Sequence, residues 1–262
     1  MSSLGAALSA ELLKSRRSRL PWAVAGGFSI VPLVGGLFMV ILKDPDTARR
    51  LGLLGTKAQL AAGTADWPTY LGLLGQAVAV GGAILFAFLM AWLFGREFAD
   101  RTVRGLLAVA TPRSAVVVAK FLVASIWSVS IALWVLALGL AIGAWVGLPG
   151  WTDTVAGDGI GSFLLAALLI LALQTTTAFF ASAGRGYLPP LAWAVLMIAV
   201  AQVLAVLGLG AWFPFAVPAL VTGAAGPEGE APNLASYLLV VAATVAGAAA
   251  TLAWWDRADQ TT

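Results

Sequence analysis

The sequence predicts an all-α polytopic membrane protein of six transmembrane helices, with an N-terminal interfacial helix and broken half-helices before the last span. Two observations predict it. Of 262 residues, 61% are hydrophobic and only 10% charged, whereas a soluble domain carries about 25% charged residues. So few charges cannot cover a soluble core, and lipid must be the solvent for much of the surface. The apolar residues also gather in six runs, roughly 20–42, 69–94, 121–147, 160–182, 189–210 and 235–255. Each has the about 20 residues that crossing about 30 Å of hydrocarbon needs. Residues 1–262 are read as a single transmembrane domain.

Residues 1–19 precede the first run. Leu4, Leu8 and Leu12 recur at helical spacing and share a face, and Glu11, Lys14, Arg16, Arg17 and Arg19 follow. This pattern predicts a cytoplasmic interfacial helix lying on the inner leaflet. The first run is too long for a signal-peptide core of about 7–15 residues, so it is expected to remain as an uncleaved span.

Orientation follows from Lys and Arg. One set of connections holds Lys14, Arg16, Arg17, Arg19, Arg96, Arg101, Arg104, Arg113, Lys120, Arg185 and Arg257. The other holds Lys43, Arg49, Arg50 and Lys57, all in one loop. The bias predicts both termini inside a multi-pass protein of the cell membrane. That first outer loop is the dissenting element. Trp22, Trp92, Trp254 and Trp255 fall near the inner interface, and Trp67, Trp145, Trp151 and Trp212 near the outer one, the level that indoles prefer. Trp127, Trp134 and Trp193 lie deeper and read as packing residues. The net charge of +3 sits beside apolar spans, which suits anionic lipid headgroups rather than nucleic acid.

Residues 211–234 are apolar but broken by Pro214 and Pro218, then rich in Gly and Pro. Broken backbone at membrane depth must be shielded by protein, so this segment is expected to dip in from the outer face as short half-helices.

Several chemistries are excluded. The chain has no Cys and no His, which removes disulfides, Cys/His zinc sites, Ser-His or Cys-His catalysis and haem ligation by His or Cys. It has no P-loop; the nearest string, running from Gly52 to Lys57, has the wrong order. No carboxylate sits mid-span, which argues against a proton-driven carrier. Gly139, Gly143 and Gly147 are spaced for close helix approach, by default within the chain. Gln76, Gln174, Thr175 and Gln202 are the main deep polar groups, to be read as interhelical hydrogen bonds or as a translocation path.

The connection at 95–120 mixes Glu97, Asp100, Arg96, Arg101 and Arg104 with apolar Phe98, Val103, Leu106 and Leu107, ahead of Arg113 and Lys120. Such a segment is either an ordinary loop kept inside by its arginines or a surface for a cytoplasmic partner.

This stretch resembles the cytoplasmic connection of ABC-2 type ABC-transporter permeases. The residues that carry the resemblance are Gly95-Arg96-Glu97-Phe98, Asp100-Arg101-Thr102, Arg104-Gly105-Leu106-Leu107, Thr111-Pro112-Arg113-Ser114 and Ala119-Lys120. The Pro-Arg-Ser order departs from the commoner Pro-x-Ser-Arg. The resemblance implies the membrane-spanning subunit of an ABC exporter that moves an amphiphilic drug, lipid or peptide. It implies a second permease copy, as a homodimer or related heterodimer, and a separate cytoplasmic ATPase that holds ATP and Mg. Glu97, Asp100, Arg101, Arg104, Leu106, Leu107 and Arg113 would then couple to that ATPase. No catalytic, cofactor or metal residue is expected in the chain itself. The alternatives are a membrane-embedded enzyme, for which Asp153 and Asp158 are the available outer carboxylates, or a non-transporting scaffold.

Overall fold

The computed structural model describes residues 3–44, 63–100, 102, 111–226 and 231–257. Among them there are helices and no strands. Helix α1 (Ser3–Arg17) leads into α2 (Leu20–Lys43). Next come α3 (Trp67–Ala99), α4 (Arg113–Val146), α5 (Asp153–Ala183) and α6 (Leu188–Val206). A 3-10 turn (Gly210–Trp212) and the five-residue α7 (Val217–Val221) precede α8 (Leu234–Arg257). Six of these helices, α2 to α6 and α8, are long and apolar enough to cross a membrane.

All the spans but α6 run longer than the apolar runs alone suggested. Helix α4 has 34 residues, about 51 Å at 1.5 Å per residue, against about 30 Å of hydrocarbon. Helix α3 continues to Ala99 and α4 begins at Arg113, so both ends of the 95–120 connection are helical projections of the spans. Its middle, 103–110, lies outside the described residues.

Helix α3 is the centre of the bundle. Of its most apolar stretch 56% is buried, against 17% for α6 and 22% for α8. Its Tyr70, Leu74, Val78 and Phe86 pack with Phe28 and Met39 of α2, Ile131 and Val135 of α4, and Phe163 and Ile170 of α5. The outer faces of α2, α6 and α8 expose Leu37, Val206 and Val241, as lipid-facing surfaces do.

With lipid as apolar as leucine, helices associate by close packing rather than by expulsion of water. The glycines supply it. A Cβ on Gly139 would lie 2.6 Å from Leu74 Cδ1, and one on Gly143 2.4 Å from Trp67 Cη2. The small-residue ridge of α4 therefore faces α3 of the same chain, as its default reading held. Gly147 ends α4 in the left-handed conformation, at φ +68°. Lys43 Nζ donates to the adjacent carbonyls of Val146 and Gly147 at 2.6 and 3.0 Å. One of the cations that dissent from the charge bias is thus a cap for the negative end of a helix.

Helix α3 carries one irregularity, a π-helical turn at Val78–Gly82. Such turns insert a residue into the helix and recur at functional sites. This one faces α5, and Ala83 just beyond it accepts a hydrogen bond from Gln174 Nε2 at 3.1 Å.

Candidate functional site

Helix α1, the end of α3, the start of α4, the turn between α5 and α6, and the end of α8 meet at one end of the bundle. Helix α1 is only weakly apolar, yet it packs firmly against α4. The buried stripe is Ala7, Glu11 and Ser15, at i, i+4 and i+8. Leu4 is exposed, and Leu8 and Leu12 are only partly buried against the core, so the leucine face and the buried stripe are different faces of the same helix. Small side chains let the helix approach closely, and Trp127 Nε1 of α4 donates to Ser15 Oγ at 2.9 Å.

The approach brings four charges together. Lys120 is fully buried and donates to Glu11 Oε2 at 3.1 Å, Glu97 Oε1 at 3.2 Å and the Leu93 carbonyl at 2.8 Å. These three bonds use all three protons of the ammonium. Lys14 donates to Glu11 Oε1 at 2.9 Å and to Glu97 Oε1 at 3.0 Å. Glu97 Oε2 accepts from Thr102 Oγ1 at 2.6 Å. Two carboxylates and two ammoniums thus form a closed, neutral square linking α1, α3 and α4. Burial acts to lower the Lys14 pKa, but Glu11 and Glu97 outweigh it and raise it. Removing any one member leaves a buried charge without its partner, which typically costs about 3–5 kcal/mol.

The same end holds an aromatic lock. Phe98 lies 5.5 Å from the Trp254 ring and 5.7 Å from the Trp255 ring. Trp255 is buried and its Nε1 donates to Ser182 Oγ at 3.0 Å. Arg113 Nη1 donates to the Trp255 carbonyl at 3.1 Å, capping the end of α8. Gly95 is pressed against the α5–α6 turn: a Cβ there would lie 2.8 Å from the Gly186 carbonyl oxygen. A larger residue at Gly95 would push that turn away.

The residues expected to couple to a partner therefore divide. Glu97 is 3% exposed and points into the charge square, so it is an internal link and not a surface contact. The physical reason is Lys120: a buried ammonium holds the nearest carboxylate. Arg113 is likewise committed to α8. Asp100 is exposed. Arg101, Arg104, Leu106 and Leu107 lie outside the described residues. Sequence reading named Glu11, Lys14 and Lys120 separately but did not join them. The available signal was Lys120 itself, a lone cation between Ala119 and Phe121 in an apolar run, which demands a counter-charge.

The deep polar residues divide too. Gln174 and Gln202 line one cavity of about 40 Å³, beside the π-helical turn and against Phe215 and Pro218 of the broken segment. Gln174 is buried, and its Oε1 has no hydrogen-bond partner. Thr175 instead ties α5 to α8, its hydroxyl lying 2.9 Å from the Thr244 carbonyl oxygen. Gln76 is exposed on the face of α3 away from this cavity. Gln76 thus lies apart from the cavity that Gln174 and Gln202 line. Among the deeper tryptophans, Trp193 stacks on Phe180 with ring centres 4.2 Å apart, as expected of a packing residue. Trp134 is 55% exposed, with its Nε1 satisfied by Ser29 Oγ at 2.9 Å.

The profile of the ABC-2 family transporter proteins matches residues 7–202, a range that contains the charge square, the first four spans and most of the fifth. The chain belongs to the ABC-2 transporter family. It is also similar to the bacitracin transport permease protein of Bacillus licheniformis, 27% identical over 179 residues, which cover 68% of this chain and 85% of that permease. No solved structure matches it significantly. As an ABC-2 permease it is the membrane subunit of an ABC transporter and associates with an ABC ATPase subunit. The matched range ends at Gln202, before the broken segment and α8.

Proposed function

We propose that this permease is an exporter subunit that works as a pair of six-span units, with both termini in the cytoplasm. Each copy engages a cytoplasmic ATPase that holds ATP and Mg. The observation that carries the reading is the buried square of Glu11, Lys14, Glu97 and Lys120. It fastens α1 and the helical roots of the 101–112 connection into one unit. A push on that connection from an ATPase would then move α1, α3 and α4 together. ATP can drive transport only by binding one arrangement of this unit better than another. The connection itself, with Arg101, Arg104, Leu106 and Leu107, supplies the contact surface.

The cargo is an amphiphile: a drug, lipid or peptide. The related permease is named for bacitracin transport, so bacitracin is the first substrate to test. Gln174 and Gln202, which line one cavity, form the polar part of the path.

The test is co-expression with a candidate ABC ATPase from the same organism, followed by purification on a tagged permease and transport assays in inside-out vesicles. Co-purification of the ATPase and ATP-dependent uptake of bacitracin support the reading. A permease that purifies alone and leaves the ATPase rate unchanged overturns it.

A further inference from the structure

A groove of about 690 Å³ runs between α1, α2 and α4 on the face opposite the bundle centre. Its volume falls in the range of about 300–1,000 Å³ typical of ligand sites. Arg16 and Leu12 of α1 line one end. Trp22, Gly26 and Ser29 form the α2 wall, and Trp127, Ser130 and Trp134 the α4 wall. From Trp127 to Trp134 the groove descends about 10 Å along α4, roughly a third of the hydrocarbon thickness.

The chemistry of the walls is uneven. All three indole N–H groups are already used: Trp22 donates to the Arg16 carbonyl, Trp127 to Ser15 and Trp134 to Ser29. What the rings offer a ligand is therefore mostly apolar surface. Trp22 of α2 and Trp127 of α4 meet edge to face, with ring centres 5.2 Å apart, and Trp134 bonds across to Ser29, so the two walls join in one continuous floor. The α1 end is cationic. Lys14 is consumed by the buried square, but among the described residues Arg16, Arg17 and Arg19 make no ion pair, and all but the aliphatic parts of such side chains favour the headgroup level. An apolar trough closed at one end by unpaired arginine is complementary to a molecule with a hydrocarbon tail and an anionic head.

We propose that this groove is a binding site for one anionic phospholipid of the leaflet on which α1 lies. Its acyl chain lies along Trp127 and Trp134 and its phosphate sits at Arg16. The site is built on α1, the same helix that closes the charge square, so an occupied groove braces α1 against α2 and α4. The inference rests on the membrane-spanning fold and is independent of the direction of transport.

Gly26 makes the site testable, because a Cβ there meets nothing within 4 Å. Gly26→Phe fills the trough without entering the protein core, and Ser130→Phe does so from the other wall. The full-length permease is stripped of lipid in detergent and titrated with phosphatidylglycerol or phosphatidylcholine, with bound lipids counted by native mass spectrometry. The wild type is expected to bind its first phosphatidylglycerol more tightly than phosphatidylcholine. Arg16→Ala should shrink that preference about fivefold, the worth of one basic residue at an anionic surface. Gly26→Phe and Ser130→Phe should weaken first-lipid binding of both headgroups. The proposal is overturned if the headgroup preference survives Arg16→Ala, or if both filling variants bind the first lipid as wild type does. It is equally overturned if the filling variants change the permease's oligomeric mass and not its lipid count, since the groove would then seat a second copy of the chain.

Discussion

Lys120 of α4, fully buried, donates to Glu11 of α1 at 3.1 Å. This bond joins residues 109 positions apart and fixes how the first helix docks. Buried pairs are often no more stabilising than apolar replacements, but breaking one side is strongly unfavourable. Lys120→Met should therefore destabilise the permease by about 3–5 kcal/mol, because Glu11 and Glu97 would share only Lys14. Lys120→Met combined with Glu11→Gln leaves a neutral Lys14–Glu97 pair and should recover most of the loss. Thermal melts in detergent give the comparison. Equal damage in the single and double variants would show that charge balance is not what holds α1.

Gly143 and Gly139 test the packing of α4 on α3 in the same way. Any Cβ at Gly143 collides with the Trp67 ring at 2.4 Å, so Gly143→Ala should cost about 1–3 kcal/mol through overpacking. Gly72→Ala, where a Cβ meets nothing, should be neutral or slightly stabilising, since alanine is the better helix former. The measurement is again the melting temperature. A harmless Gly143→Ala would mean that Trp67 moves freely, which its burial at 5% exposure argues against.

The six spans were legible because hydrophobic run length depends on the solvent and not on detailed contacts. The charge square was not, since pairing α1 with α3 and α4 depends on which helices touch. Hydropathy also placed Leu4, Leu8 and Leu12 on a favoured face, whereas close approach selected Ala7, Glu11 and Ser15. Lys43 looked like a violation of the charge bias, but it caps carbonyls of α4 at 2.6 and 3.0 Å, a local role that a count of loop charges cannot see. Gln76 and Gln174 look alike in sequence. Only the face each occupies on its own helix sends one outward and the other into a cavity.

Coupling to the ATPase is expected to depend on the middle of the connection. Arg101→Glu and Arg104→Glu should weaken ATPase association or uncouple hydrolysis from transport while insertion survives. Exposed pairs are worth under about 1 kcal/mol each, so alanine changes should be mild, and reversal should do more because it adds repulsion. Leu106→Asp should be harsher still, and Arg49→Glu, in the loop between the first two spans, should have no effect. Complex yield and stimulated ATPase rate are the readouts. Wild-type values in all three inner variants would reduce the segment to a simple loop.

The attachment of α1 has a predictable pH dependence. Glu11 and Glu97 raise the Lys14 pKa against the opposing effect of burial. A base whose folded pKa is raised contributes stability at pH values below its unfolded pKa, and that stability is lost as pH rises through the folded pKa. The contribution of Lys14 should therefore be constant from neutral pH to about pH 10, the ordinary lysine value, and fade above it. A spin label at exposed Leu4 reports the mobility of α1. Mobility should stay low until the solution is strongly alkaline, and Lys14→Arg should delay the rise. A loosening near neutral pH would exclude Lys14 as the titrating group.

The last prediction separates path from packing among the deep polar residues. Gln174 holds the Ala83 carbonyl through Nε2 at 3.1 Å, while its Oε1 has no partner. Gln174→Leu loses one hydrogen bond, worth about 0.6 kcal/mol on average between membrane helices, and removes the unsatisfied oxygen, whose burial is itself unfavourable. The two effects oppose, so the melting temperature should barely move. Transport should fall, because the cavity shared with Gln202 loses its polar wall. Thr175→Val behaves the other way: it breaks the tie to the Thr244 carbonyl, so stability should drop by about 0.6 kcal/mol or more while transport per folded molecule is kept. Gln76→Leu, on the outer face of α3, should change neither. Efflux measured per mole of folded permease, beside the melt of each variant, distinguishes these outcomes. If Gln174→Leu transports normally, the cavity is only a packing gap, and the polar path must be sought elsewhere in the bundle.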